Sequence, residues 1–181
     1  MDPIPRSGPY FGLRLLGFPL FFHWTFPASG FAIGFLVAML VFIMSPTLAL
    51  ETFLWTTAAC VALVIAHEFG HAVAARLLSL EVTGIVIAYV GGRCFVSSQP
   101  SPFADLFFST AGILVQIAVL VLTAALLWIL GAPSSLPLKS VVVVFTAGNA
   151  ILMIANLVPY KGNDGARIVN ALRAIWASGR G

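Results

Sequence analysis

Charge is what this sequence has least of. Of its 181 residues only 8% are Asp, Glu, Lys or Arg, while 60% are hydrophobic and the mean hydropathy is +1.05. A water-soluble domain carries about 25% charged residues to solvate its surface, so this chain must meet lipid over most of its exterior. Cysteine is almost as scarce. Cys60 and Cys94 stand far apart in apolar surroundings, which excludes a disulfide framework and a CxxC metal pair and leaves two small buried hydrophobes. A formal net charge of +3 gives no basis for nucleic-acid binding. The N-terminus holds Arg6, Arg14, Pro3, Pro5 and Pro9 and no uninterrupted apolar helix before a small-residue cleavage site. No cleavable signal peptide is therefore expected, and insertion relies on the spans themselves. Histidine is limited to three residues, too few for a multi-histidine di-iron site.

What the chain has in abundance is long apolar runs. Measured against the ~20 residues that a membrane helix requires, they predict four spans, at about 27–44, 53–78, 103–130 and 139–158. Ser45-Pro46, Gly131-Ala132-Pro133 and Pro159 punctuate them. Four spans put both termini and the 79–105 loop on one side, with Arg6, Arg14, Arg76, Arg93, Lys161, Arg167, Arg173 and Arg180. The other side receives only Lys139. That asymmetry orients both termini toward the cytoplasm. Two stretches do not read as helix. Residues 10–26 mix Gly12, Gly17 and Pro19 with aromatics, as a short strand pair or interfacial segment would. Residues 82–96 are rich in β-branched side chains and read as a hairpin turning at Gly91-Gly92. At membrane depth such a hairpin is tolerated only where protein buries it or it lines a wet cavity. After Asp164, arginines beside Ile168, Leu172 and Ile175 predict an amphipathic helix over about 165–177. The expected fold is thus a single domain, 1–181. It is an all-α membrane protein of about four transmembrane helices, with a short N-terminal β or interfacial segment (1–26) and a re-entrant β-hairpin.

The chemistry concentrates in His67-Glu68-Phe69-Gly70-His71. On a helix, positions i and i+4 share a face about 6 Å apart, so both imidazoles reach one ion. Glu68 is then placed to deprotonate a water activated by that ion. A carboxylate inside an apolar span costs about 2.5 kcal/mol or more, and short imidazoles do not snorkel, so a purely structural role is disfavoured. A catalytic zinc takes three protein ligands and keeps one position open. His23, beside Trp24, reads as a packed interfacial residue rather than the third ligand. Among the acids, Glu51 falls on the opposite membrane face and Asp2 in the tail. Asp105 and Glu81 stay open but resemble boundary charges. Asp164 follows the fourth span on the correct face, in the turn-rich run Pro159–Gly165, and is the best third ligand.

HEFGH on a membrane span, followed by Asn156-Leu-Val-Pro159 and then Asp164-Gly165, resembles the site-2 protease family of intramembrane metalloproteases and its paired pattern HExxH and NxxPxxxxDG. GFPLFFHWTF before the first span and Gly91-Gly92 are similar to that family as well. The resemblance implies one Zn2+ per chain, held by His67, His71 and Asp164, with Glu68 as general base. It also implies that Asn156 places the substrate or polarises its carbonyl, where the residues alone read as a helix-end hydrogen-bond link. Pro159 and Gly165 would break the helix so that Asp164 turns inward. One region departs from the family. Many members carry Ala-Gly-Pro with an Asn a few residues on, whereas this chain has Ala111-Gly112-Ile113-Leu114-Val115-Gln116.

The expected function is therefore zinc-dependent endopeptidase cleavage of single-span membrane proteins near the cytoplasmic face of a membrane, expected to be a bacterial inner membrane, the hairpin edge pairing with the unwound substrate. Two other readings compete. A zinc transporter or sensor would require further polar ligands along a pathway, and a proteolytically inactive scaffold would have no use for Glu68.

Overall fold

The computed structural model describes residues 10–26, 28–43, 45–88 and 91–179. The charges at Arg6 and Arg180, Asp2, the prolines at 3, 5 and 9, and the span ends at Pro27 and Met44 lie outside the described residues.

Helix starts follow from capping chemistry. Ser45 caps α2 (Pro46–Leu77), its hydroxyl accepting from the Leu48 amide at 3.3 Å with Pro46 at the first helical position. Ser101-Pro102 does the same for α3 (Pro102–Leu130), which stops at Gly131 in positive φ. The rod at the fourth expected span, Leu136–Leu157, comprises α4 (Leu136–Val143), a π-helical turn at Val144–Gly148, and α5 (Asn149–Leu157). These three rods are long and apolar enough to cross a membrane, and their outer faces are apolar side chains such as Leu114, Val121 and Ile151. The chain is accordingly an integral membrane protein with a mostly helical fold.

The first expected span is shorter than the others. Helix α1 (Ala28–Phe42) has 15 residues, about 22 Å at 1.5 Å per residue against a hydrocarbon thickness of ~30 Å. It doubles back along α2: Gly30 lies against Thr57, Gly34 against Phe53 and Thr57, and Ala38 and Val41 cluster with Ala49. A Cβ at Gly34 would stand 2.9 Å from the Phe53 carbonyl oxygen, so this glycine sets how closely the two helices approach. Only the N-terminal half of α2 is covered in this way.

A four-stranded sheet covers the other half. Strands β1 (Tyr10–Leu15) and β2 (Phe18–His23) form a hairpin through Leu16 and Gly17, both at positive φ (52° and 86°) as tight hairpin turns demand. Strands β3 (Val82–Ala88) and β4 (Gly91–Val96) form the second hairpin, and β2 pairs parallel with β3, giving the order β1-β2-β3-β4. The parallel pair needs a long crossover, which α1 and α2 supply. Thus the two β stretches of the sequence make one sheet. Phe18, Leu20, Ile85 and Ile87 bury themselves on Ala72 and Ala75 of α2, whose small side chains admit the sheet. The register corrects one expectation. Ala88 pairs with Gly91 and Ile87 with Gly92, so the glycines are strand residues rather than the turn.

The last helix, α6 (Asp164–Ser178), carries the amphipathic sequence and packs on α3 and the end of α5. Replacing Gly34 by valine is expected to destabilise the α1–α2 hairpin by about 1–3 kcal/mol through overpacking. The measurement is thermal unfolding in detergent, where a clear fall in Tm with helicity retained below the transition is the expected result.

Candidate metal centre

Three of the sequence-predicted residues converge on one point. His67 and His71 sit one turn apart in the last third of α2, both buried. Their Nε2 atoms are 3.2 Å apart, and Asp164 Oδ2 lies 3.1 Å from the first and 3.2 Å from the second. Two neutral imidazoles and a carboxylate would aim three lone pairs at one another here, an arrangement that suits a cation between them. Zinc with bonds of about 2.0–2.1 Å in tetrahedral geometry needs ligand atoms about 3.3 Å apart, close to this triangle. Asp164 Oδ2 is buried and makes no hydrogen bond of acceptable geometry. The donor set therefore fits the metal that the sequence implies.

The tautomers fit too. His71 Nδ1 lies 2.8 Å from the Phe108 carbonyl oxygen, which can only accept, so its proton sits on Nδ1 and frees Nε2. His67 Nδ1 lies 3.1 Å from Gln116 Oε1 and is placed to donate in the same way. Metal-ligating histidines are oriented by such outer partners.

Asp164 reaches the site because the chain breaks sharply after α5. Val158 is extended, Pro159 follows, and Asn163 closes the gap. Its Oδ1 accepts from the amides of Tyr160 and Ala166 at 3.2 Å each, while its Nδ2 donates to the carbonyls of Ala155 and Val158. One side chain thus satisfies the end of one helix and caps the next. Gly165 packs against the carbonyls of Leu157 and Val158, where no Cβ fits. Arg167, one turn beyond Asp164, is paired with Asp105 and lies over the Phe108 ring at 4.5 Å. Phe108 in turn stacks on His71, with centroids 5.1 Å apart. Asp105, expected as a boundary charge, is therefore part of the clamp that docks α6 on α3.

Backbone approaches at two glycines complete the centre. A Cβ at Gly112 of α3 would stand 2.6 Å from His71 Nε2 and 2.7 Å from His67 Nδ1. A Cβ at Gly92 of β4 would stand 2.7 Å from Glu68 Cδ and 2.8 Å from Oε1. Glu68, 4% exposed, is thus pressed between α2 and the backbone of β4 beside the two histidines. Asn156 Nδ2 is 3.4 Å from His67 Nε2. His67, Glu68, His71, Asn156 and Asp164 all border a cavity of about 830 Å³ walled on one side by β4 and the 97–100 segment. Cys94 also lines it, its thiol pushed up to about 12 by burial, but it stands outside the His67, His71 and Asp164 group. His23 lies elsewhere, 2.6 Å from the Thr25 hydroxyl and packed between Tyr10 and Trp24. Glu81 is likewise outside the cluster, and His67, His71 and Asp164 form the one such group found among the described residues.

Gln116, Asn163, Arg167 and the packing role of Gly112 were not legible as parts of a centre from sequence. The departure at Ala111–Gln116 was the signal for Gly112 and Gln116, and Asn163 and Arg167 carried none.

No protein-family model and no curated protein matches the chain. Among solved structures it is similar to the site-2 protease from Methanocaldococcus jannaschii, at 23% identity and a TM-score of 0.55, over 91% of this chain and 72% of that one. At this identity the likeness concerns the fold, which the two chains share.

Gly112→Ala is expected to cut zinc occupancy, since a methyl group there intrudes on both imidazoles. Overpacking of about 1–3 kcal/mol corresponds to roughly 5- to 150-fold weaker binding. Metal analysis of the purified protein, with circular dichroism to show an intact fold, measures it.

Proposed function

We propose that this chain is an intramembrane zinc metalloendopeptidase of the site-2 protease type, cleaving single-span membrane proteins near the cytoplasmic membrane face. One observation carries the reading: His67, His71 and Asp164 meet within 3.2 Å, with the buried carboxyl of Glu68 beside them at a common cavity. The shared fold with a site-2 protease supports it.

His67, His71 and Asp164 would hold the zinc. When bound, the metal supplies Lewis acidity, polarising a peptide carbonyl and lowering the pKa of water to about 7. Glu68 takes the proton from the attacking water and returns it to the leaving amine. Its burial against Gly92 leaves the carboxyl few alternative positions, so the base is oriented before substrate arrives. The Asn156 amide donates to the carbonyl oxygen as negative charge builds there. A substrate helix hides its carbonyls in its own hydrogen bonds and must be extended to react. Strand β4 ends the sheet order, and its residues from Gly91 to Val96 all line the cavity. An extended substrate pairs with that edge and is laid along the site. A zinc transporter would require further ligand clusters along a path, and none accompanies this one among the described residues.

In a bacterial inner membrane we place four spans, α1 crossing where the bilayer is thinned around it, with both termini and the metal centre toward the cytoplasm. Cysteine introduced at Ser134, in a chain lacking Cys60 and Cys94, should react with an impermeant maleimide in intact cells. Cysteine at Gln99 should react only after permeabilisation. The reverse pattern refutes the orientation.

For the activity, Glu68→Gln should retain zinc and lose cleavage of a single-span reporter by about 10²–10⁴-fold, the usual contribution of a general base. Metal analysis and gel-based cleavage in detergent measure both. Undiminished cleavage would remove Glu68 from the mechanism.

A further inference from the structure

Two buried amides have no part in the mechanism above. Gln116 on α3 and Asn149 on α5 are each 1% exposed. Amides are costly to bury in a bundle unless hydrogen bonds compensate, and a leucine would fill either position without that cost. Each makes one specific contact. Gln116 Oε1 faces His67 Nδ1 at 3.1 Å, and Asn149 Nδ2 donates to the Gln116 backbone carbonyl at 2.7 Å. Their remaining polar atoms, Gln116 Nε2 and Asn149 Oδ1, are buried without a partner. The Gln116 amide is thus kept for its contact with His67 and the Asn149 amide for its bond to Gln116, since their other halves gain nothing.

We propose that Gln116 is the positioning residue for His67, fixing its proton on Nδ1 and its Nε2 toward the metal, with Asn149 holding Gln116 in place. This rests on the reading of His67 as a zinc ligand. The π-helical turn supports it. Asn149 is the first residue after Val144–Gly148, where one extra residue per turn rotates everything that follows. Asn149 and Asn156 are seven apart, two turns of helix, and therefore share a face. The rotation that puts Asn149 on α3 also puts Asn156 within 3.4 Å of His67. Were the Gln116 amide reversed, its NH2 would force the His67 proton onto Nε2 and abolish ligation. An acceptor at this position is the requirement.

The test compares zinc affinity of the full-length chain in detergent, by chelator competition, among four forms. Gln116→Met keeps the shape and removes the acceptor, and Gln116→Glu restores an acceptor at the same reach. Thr56→Val removes a buried hydrogen bond to Ser140 that has no link to the metal centre. Relative to wild type, Gln116→Met should bind zinc 10–100-fold more weakly, with Gln116→Glu and Thr56→Val within about threefold. The cobalt-substituted protein reports the same contact, its visible ligand-field band shifting in Gln116→Met and returning in Gln116→Glu. Wild-type affinity in Gln116→Met, or an equal loss in Gln116→Glu or Thr56→Val, overturns the proposal. Should Gln116→Met fail to fold, Gln116→Asn withdraws the acceptor by one methylene, and unchanged affinity there overturns it equally. His67→Ala separates the two levels: if it binds zinc like wild type, the ligand reading fails and takes Gln116 with it. If it loses zinc while Gln116→Met does not, only the role of Gln116 falls.

Discussion

Three electron-rich atoms held within 3.2 Å of one another inside an apolar bundle are the constraint on which the rest of this structure depends. Such a triangle is unfavourable without a cation, and every element that supplies a corner must be held against the tendency to relax apart. The chain does this with partners of fixed geometry. A helix carbonyl and a buried amide hold the imidazoles, and a double-ended Asn163 clasp with an Asp105–Arg167 pair holds the carboxylate. Polar groups that would only cost energy elsewhere in a membrane protein are concentrated around this point.

Close backbone approach is the second theme. Gly70 lets α2 meet the Ala111 carbonyl of α3, Gly112 leaves room for both imidazoles, and Gly92 lets β4 lie on Glu68. In lipid there is no hydrophobic drive between helices, so packing of small residues carries association. Here it also sets the clearance of the metal centre. The short α1 belongs to the same economy of space. It covers α2 only as far as the sheet begins, and the sheet takes the remaining length, where its last strand can border the cavity.

Much of this was legible in the residues. The apolar runs announced the long helices because a spanning helix must be apolar over most of its length, and Ser-Pro and Gly punctuation marked where they start and stop. HEFGH announced two clustered imidazoles because helical periodicity alone brings i and i+4 together. Positive charge on one side set Glu51 aside and left Asp164 the best of the remaining acids. The glycine pair was seen but misread. Composition identifies a hairpin, whereas its register depends on pairing partners, and those moved Gly92 out of the turn and onto Glu68.

What the sequence by itself determined is whatever follows from local periodicity and composition: lipid as solvent, the helical rods, the histidine pair and its adjacent carboxyl. What only the tertiary structure decided is whatever depends on distance between elements remote in the chain. The union of two hairpins into one sheet is of this kind, because a parallel pair between β2 and β3 leaves no local mark. So are the meeting of Asp164 with residues nearly a hundred positions away, the pairing of Asp105 with Arg167, and the contact of Gln116 with His67. A lone amide or charge in an apolar helix states that it needs a partner, and only the packed bundle shows which one it has.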